Sequence, residues 1–270
     1  MLKQCHNLIT LDVNIRIPQP RLEGLEPALE MVLLPHLEIL KLRESGPASA
    51  LISAINAPFI KSLRYRCPHR CENNGDLEFP SLLIPKSLIW LISNASASLE
   101  TLSIQPSTFQ PEHVLQCLQL AAHVKELIFR DNLFFSPSDI EEDILFEPDF
   151  FDLESFTVHI PEYDSSTPSD TPLQNDILLP NLESLEVNGG YVLADENLRR
   201  ILLSRIDSAQ RGLTSPLRRV KVQFARKKKE DIVPEIVAYA RDVGMEMKLD
   251  LVYQPSGPNV GPLSPFLLPF

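Results

Sequence analysis

"LPNLESLEVNGG", residues 179–190, repeats the apolar letters of "LPHLEILKLRES", residues 34–45, at the same offsets. Stripped to its apolar frame, the stretch reads Φ-x-x-Φ-x-Φ, where Φ is aliphatic or aromatic. In chain order the frame falls at Leu8-Leu11-Val13, Leu37-Leu40-Leu42, Ile60-Leu63-Tyr65 and Leu99-Leu102-Ile104. It continues at Val124-Leu127-Phe129, Leu153-Phe156-Val158, Leu182-Leu185-Val187 and Leu217-Val220-Val222. So short an apolar pattern is common by chance. Four copies, however, share a longer spelling: Leu37-Glu38, Leu99-Glu100, Leu153-Glu154 and Leu182-Glu183 all open the same Leu-Glu-x-Φ phrase.

Between the copies lie segments with helical patterning: "PASALISAI" (47–55), "PKSLIWLISNA" (85–95), "PEHVLQCLQLAA" (111–122), "DENLRRILLSRI" (195–206) and "EDIVPEIVAYARDV" (230–243). Several open with Pro or Asp, which suit a first helical turn, and carry apolar residues three and four apart. Pro234 is compatible with a helix because it falls in the first turn. A strand-plus-helix unit of this kind has an apolar seam that it cannot bury alone. Stacking the next unit on it buries the seam, so the frame must recur once per coil. Apolar positions 0, +3 and +5 then point inward, and the residues between and after them face out on the strand side. The expected fold is α/β, with one short parallel strand and one helix per irregular repeat.

At these residues the chain resembles the leucine-rich repeat family, over about residues 1–253. Within that family it is most similar to the irregular repeat region that follows an F-box in fungal substrate receptors of ubiquitin ligases. The "LPxLExLxL" spelling, the helical segments, long Pro/Ser-rich inserts and a repeat spacing near 29 residues carry the resemblance. It implies a horseshoe-like solenoid in the cytoplasm or nucleus that recognises a protein target without catalysis. Asn, frequent eight residues after the first Φ in many such repeats, stands there only at Asn132. No F-box fits before Leu8, so residues 1–253 are expected to be an N-terminally truncated solenoid with an uncapped first coil. Binding to a ligase adaptor is expected only if an F-box is encoded upstream. Residues 254–270, rich in proline, are expected to form a flexible tail.

Composition narrows the function classes. Hydrophobic residues at 44% and charged residues at 23% are ordinary globular values. Twenty-four prolines against nine glycines cut the chain into short elements. A net charge of −11 argues against a nucleic-acid binder, which needs a cationic face toward phosphates. The apolar run at 87–99 is too short and polar to span a bilayer, and no secretory signal opens the chain. Cys5, Cys67, Cys71 and Cys117 suit reduced thiols in the cytosol or nucleus.

Charge is distributed in blocks. Between Arg130 and Arg199 there are 17 acidic residues and no Lys or Arg, and from Arg199 to Arg241 the balance reverses. These blocks read either as solvated faces or as a bipolar partner surface. "ARKKKED" (225–231) is either a solvated turn before a helix or, through Arg226–Lys229, a nuclear localisation signal. "PEYDSSTPSDTP" (161–172) is either a disordered insert or a loop regulated at Thr167 and Thr171.

Catalytic signatures are missing from the sequence. "CPHRC" (67–71) offers too few ligands for a structural zinc site, and Cys5 and Cys117 belong to other repeats. The six histidines are scattered, no Gly-rich phosphate loop occurs, and Glu141-Glu142 lies in an acidic run. No catalytic residue, metal or cofactor is expected. The alternatives are a leucine-rich scaffold unrelated to ubiquitin, or an α/β hydrolase or transferase whose periodicity imitates a repeat.

The outward strand face supplies the candidate site. The frame places there Ile39, Lys41 and Arg43; Ser62, Arg64 and Arg66; Thr101, Ser103 and Gln105; and Glu126, Ile128 and Arg130. Lys41, Arg43, Arg64 and Arg66 should cluster on adjacent strands, with Arg130 two strands beyond Arg66. Guanidinium forks suit carboxylates and phosphates, so the expected partner is an acidic or phosphorylated protein target. The competing reading is that these arginines only neutralise nearby acidic loops.

Overall fold

Seven of the eight strands in the main sheet fall on the repeated frame. The computed structural model describes residues 5–15, 30–44, 52–66, 84–106, 109–130, 153–158, 177–191, 193–224 and 226–253. In chain order its strands are β1 (Thr10–Ile15), β2 (Val32–Leu33), β3 (Ile39–Glu44), β4 (Ile55–Asn56), β5 (Ser62–Arg66) and β6 (Thr101–Ile104). They continue with β7 (Glu126–Arg130), β8 (Ser184–Tyr191), β9 (Arg219–Phe224) and β10 (Lys248–Val252). The helices are α1 (Ile84–Ala95), α2 (Pro111–Leu120), α3 (Asp195–Gln210) and α4 (Val233–Asp242). Eight strands form one sheet in the order β1-β3-β5-β6-β7-β8-β9-β10, while β2 and β4 pair apart from it. Every pairing is parallel. Parallel crossovers are overwhelmingly right-handed, so a sheet that grows in one direction along the chain winds its connections onto one face.

The register aligns the second Φ of each phrase. Leu11, Leu40, Leu63, Leu102, Leu127, Leu185, Val220 and Leu249 are successive Cα partners across the sheet. The third Φ forms a second row, Ile104-Phe129-Val187-Val222-Leu251 on its later half. The inner members of both rows are buried, whereas Leu11 and Leu249 are half-buried on terminal strands with one neighbour each. A slip by one residue would turn every one of these side chains to the other face, so the apolar alternation excludes it.

A second ladder runs one residue ahead of the strands. Glu38, Lys61, Glu100, Lys125, Glu183 and Arg218 occupy the position after the first Φ, and their signs alternate from strand to strand. The amide of Lys61 donates to the Glu38 carbonyl, and the same bond, at 2.8 Å, links Lys125 to Glu100 and Arg218 to Glu183. Side chains close the same pairs: Lys61 Nζ lies 3.0 Å from Glu38, Lys125 Nζ 3.2 Å from Glu100 and Arg218 Nε 3.6 Å from Glu183. At Glu38, Glu100 and Glu183 the Leu-Glu spelling is thus one half of a charge pairing with the intervening coil. Like charges in adjacent coils would repel instead.

Helix ends follow local chemistry. Pro111 and Pro234 occupy the first turns of α2 and α4, where a missing N–H costs nothing. After α3 and α4 the chain turns through Gly212 (φ 74°) and Gly244 (φ 78°). Each makes a Schellman closure, with Leu213 N–H to the Ser208 carbonyl and Met245 N–H to the Ala240 carbonyl.

Two expectations are corrected. Leu153-Phe156-Val158 is not a strand: Leu153–Phe156 is a 3-10 turn, and β7 pairs directly with β8. Strands in a sheet lie about 4.8 Å apart, so this direct pairing leaves no slot between them. Phe156 instead packs edge-on against Phe129, with ring centroids 6.3 Å apart, and the Val158 amide donates to Ser204 Oγ on α3. Of the helix expected at 47–55, Ile52 and Ser53 are helical, residues 47–51 lie outside the described residues, and Ile55 belongs to β4 rather than to the helix. The β2–β4 pair lies outside the repeated frame, and so does β10, where Glu246 stands in place of the first Φ before Leu249. Residues 67–71, 161–172 and 254–270 lie outside the described residues, as does Glu141-Glu142.

Candidate functional site

Strand alternation with Leu40, Leu42, Leu63 and Tyr65 facing the core puts Lys41, Arg43, Arg64 and Arg66 on the opposite face. The register then builds two polar rows. The first is Asp12-Lys41-Arg64-Ser103-Ile128-Glu186-Lys221-Asp250, each residue partnered with the next. The second holds Asn14, Arg43 and Arg66 on β1, β3 and β5, and Arg130 beside Asn188 on β7 and β8.

The first row is neutralised toward its ends. Lys41 Nζ lies 3.8 Å from Asp12, and Lys221 Nζ lies 3.1 Å from Glu186, which also accepts from Asn188 Nδ2 at 2.9 Å. The centre differs. Among the described residues, no carboxylate ion-pairs with Arg43, Arg64, Arg66 or Arg130. Arg43 is exposed and the other three are half-buried. Burial, then repulsion from Arg130, Arg64 and Arg43, holds the Arg66 guanidinium below its ordinary pKa. Arg130 is lowered by burial and by Arg64, against the opposing pull of Glu186 and Glu126. Four like charges are therefore close enough to repel one another.

The structure brings together Arg43, Arg64, Arg66 and Arg130 and gives Lys41 to Asp12. It also marks two residues beside them. Ser103, the register partner of Arg64, is 2% exposed, and its Oγ has no hydrogen-bond partner. The Nε of Arg130 and the Oδ1 of Asn188 are likewise buried and unpartnered. The frame puts Ser103 on this face, but nothing in the sequence says that it is buried there. A buried, unsatisfied polar group costs about 1–3 kcal/mol, so its retention calls for a reason.

Two other polar centres are structural. Arg205 on α3, 2% exposed, donates from Nε to the Phe156 carbonyl (3.1 Å), from Nη1 to Leu179 (3.0 Å), and from Nη2 to Leu178. Burial lowers its pKa to about 10, so it stays charged at neutral pH. Leu179 is held at φ 50°, a left-handed conformation costly for a branched side chain, in the turn that leads into β8. Arg226, from the basic "ARKKKED" stretch, lies in a second knot. It grips Asp195 with both terminal nitrogens, and its guanidinium carbon sits 4.6 Å from the ring centroid of Phe224, which stacks on Tyr253. Only Lys227, Lys228 and Lys229 of that basic run are exposed.

Cys117 is buried on α2, and burial pushes its thiol up to about 12, which makes it inert as a nucleophile. Among the described residues, no group of three or more His, Cys, Asp or Glu side chains could hold a metal ion. No described helix is long and apolar enough to cross a membrane.

Fold and surface together define an α/β protein with an open, eight-stranded parallel sheet in chain order and an arginine cluster on its polar face. No protein-family model, curated protein or solved structure matches the chain.

Proposed function

We propose that the chain is a leucine-rich-repeat solenoid that recognises a protein target without catalysis, as the substrate-binding part of an F-box-type ubiquitin-ligase receptor. One observation carries the recognition reading. Arg43, Arg64, Arg66 and Arg130 lie together on the outward strand face with no carboxylate partner among the described residues, although the chain has a net charge of −11. Lys41, Lys61, Lys125 and Lys221 each meet a carboxylate, whereas these four arginines ion-pair with none among the described residues. A row of strands presenting these guanidinium forks suits an acidic protein segment laid across the coils. The link to a ligase rests on the "LPxLExLxL" spelling, and such a receptor works in the cytoplasm or nucleus.

The test is capture. Purified wild-type chain and an Arg64→Glu/Arg66→Glu variant of equal thermal midpoint are used to pull down host proteins, identified by mass spectrometry. Each candidate is then rebuilt as a binary complex from purified components. A target held by wild type and lost by the variant supports the reading. Equal capture by both removes the arginine face from recognition.

A further inference from the structure

We infer that the free edge of β10 is a strand-addition site whose occupant is the chain's own segment 264–270, running back antiparallel to β10 over the last apolar row of the sheet. This site lies at the end of the sheet away from the arginines and is independent of the recognition reading.

Among the described residues, β10 pairs on one side only, with β9. Side chains alternate strictly along it and its approach. Met245, Met247, Leu249, Leu251 and Tyr253 are half-buried against the core, while Glu246, Lys248, Asp250 and Val252 are exposed. The Lys248 amide donates to the Arg218 carbonyl, just before β9. Successive residues of a strand turn their backbone groups to opposite sides, so those of Leu249 and Leu251 point away from β9, toward the open edge. The residues with backbone groups left over are therefore the ones whose side chains face the core. An open edge beside a half-covered apolar row is a liability that proteins commonly cover.

The same geometry decides what can pair there. An antiparallel neighbour is related to β10 by a twofold axis normal to the sheet, so its residues that hydrogen-bond to β10 again face the core. A fitting segment has apolar residues with free N–H groups at every second position. The positions between aim their N–H at solvent, where an edge strand tolerates proline. Residues 264–270 read Ser-Pro-Phe-Leu-Leu-Pro-Phe. Phe266, Leu268 and Phe270 fall on one parity, and Pro265 and Pro269 both fall on the other. Charge agrees, since residues 254–270 hold no Asp, Glu, Lys or Arg in a chain that is 23% charged.

Connectivity favours this segment over a second molecule. It follows β10 directly in the chain, and residues 254–263, with Gly257 and Gly261 among them, supply the reversal. A segment tethered so closely meets its site at an effective concentration of about millimolar. Setting Leu268 opposite Leu249 puts Phe266 opposite Leu251 and Phe270 opposite Met247. A groove of about 540 Å³, lined by Arg218, Met245 and Met247 among others, opens there to take the last ring.

The experiment uses the whole 270-residue chain. Amide hydrogen exchange is followed residue by residue by NMR in wild type, Leu268→Pro and Leu267→Pro. The first substitution removes an N–H aimed at β10, and the second removes one aimed at solvent. The Leu249 and Leu251 amides should exchange at least about tenfold more slowly in wild type than in Leu268→Pro, and Leu267→Pro should match wild type. The amides of Val220 and Val222 on β9 are the folding control and should stay protected in all three. Leu268→Asp should act like Leu268→Pro, and Leu267→Asp should not, because only position 268 faces the core.

Unprotected Leu249 and Leu251 amides in wild type overturn the inference. Equal loss in the two proline variants overturns the strand, because the parity that defines it would be absent. Protection that persists in both Leu268 variants gives the edge to another segment. Protection that rises with protein concentration gives it to a second copy and overturns the intramolecular pairing.

Discussion

Asp195 takes both terminal nitrogens of Arg226, at 2.7 and 3.0 Å, while its side chain is only 3% exposed. The same carboxylate accepts from Tyr253 Oη at 2.7 Å and from the amides of Lys229 and Glu230 at 3.3 and 3.1 Å. One residue at the start of α3 therefore ties together the loop after β9 and the end of β10. It closes the last coil of the sheet.

Burial opposes the ionised form of Asp195, but the hydrogen bonds from Arg226, Tyr253 and Glu230 outweigh it and lower its pKa from 3.8 to about 2. A carboxylate with a depressed folded pKa stabilises the fold above its unfolded pKa and loses that contribution as pH falls through the folded one. Stability should thus fall between about pH 4 and pH 2, by about 2 kcal/mol from this group. Denaturant titrations at steps of pH check it, with Asp195→Asn as control. The variant should start roughly 3–5 kcal/mol lower, because Arg226 loses its buried partner, and should lack this part of the acid slope. An unchanged slope in the variant would assign acid sensitivity to other groups.

Arg205 should be irreplaceable by lysine. Its fork reaches three carbonyls, of Phe156, Leu178 and Leu179, and a single ammonium cannot copy that planar geometry. Arg205→Lys should lower stability by about 2 kcal/mol and Arg205→Ala by about 3 kcal/mol or more, since buried acceptors are left unsatisfied. Urea unfolding measures both. A loss below about 1 kcal/mol in the alanine variant would mean that the carbonyls find other donors.

Leu185 sits mid-row between its register partners Leu127 and Val220, 3% exposed. Leu185→Ala should cost roughly 2–5 kcal/mol, the range for a buried leucine that leaves a cavity. Leu249→Ala, at the half-buried end of the same row, should cost clearly less. Thermal unfolding of the pair tests whether the row is packed from its centre outward.

Among the described residues, β1 pairs on one side only, with β3. Leu11 and Val13 are half-buried there, and Ile9, Leu33 and Phe59 are 58%, 53% and 59% exposed in the same part of the fold. An open strand edge beside apolar side chains favours association. Sedimentation velocity should show concentration-dependent self-association that Ile9→Lys/Leu33→Lys reduces. A wild-type chain that stays monomeric at high concentration contradicts this.

Much of the sheet was legible from the residues alone. Leu40, Leu63, Leu102, Leu127, Leu185 and Val220 recur in one frame because each strand must bury the same seam, and that local alternation fixes the face each side chain takes. The outward position of Arg43, Arg64, Arg66 and Arg130 follows from the same alternation. The alternating signs of Glu38, Lys61, Glu100 and Lys125 could be read too, once the strands were known to be neighbours.

Only the tertiary structure decided the rest, because the deciding partners are remote in sequence. Leu153-Phe156-Val158 has the letters of a strand, but a strand needs a free neighbour, and β8 already occupies the edge of β7. Arg226 reads as one more cation in a basic run until Asp195, 31 residues earlier, is found against it. Ser103 is an ordinary outward-facing serine in the frame, and its burial beside Arg64 depends on neighbouring strands that no local pattern encodes. Periodicity sets which way a side chain points; what it meets there is set by long-range packing.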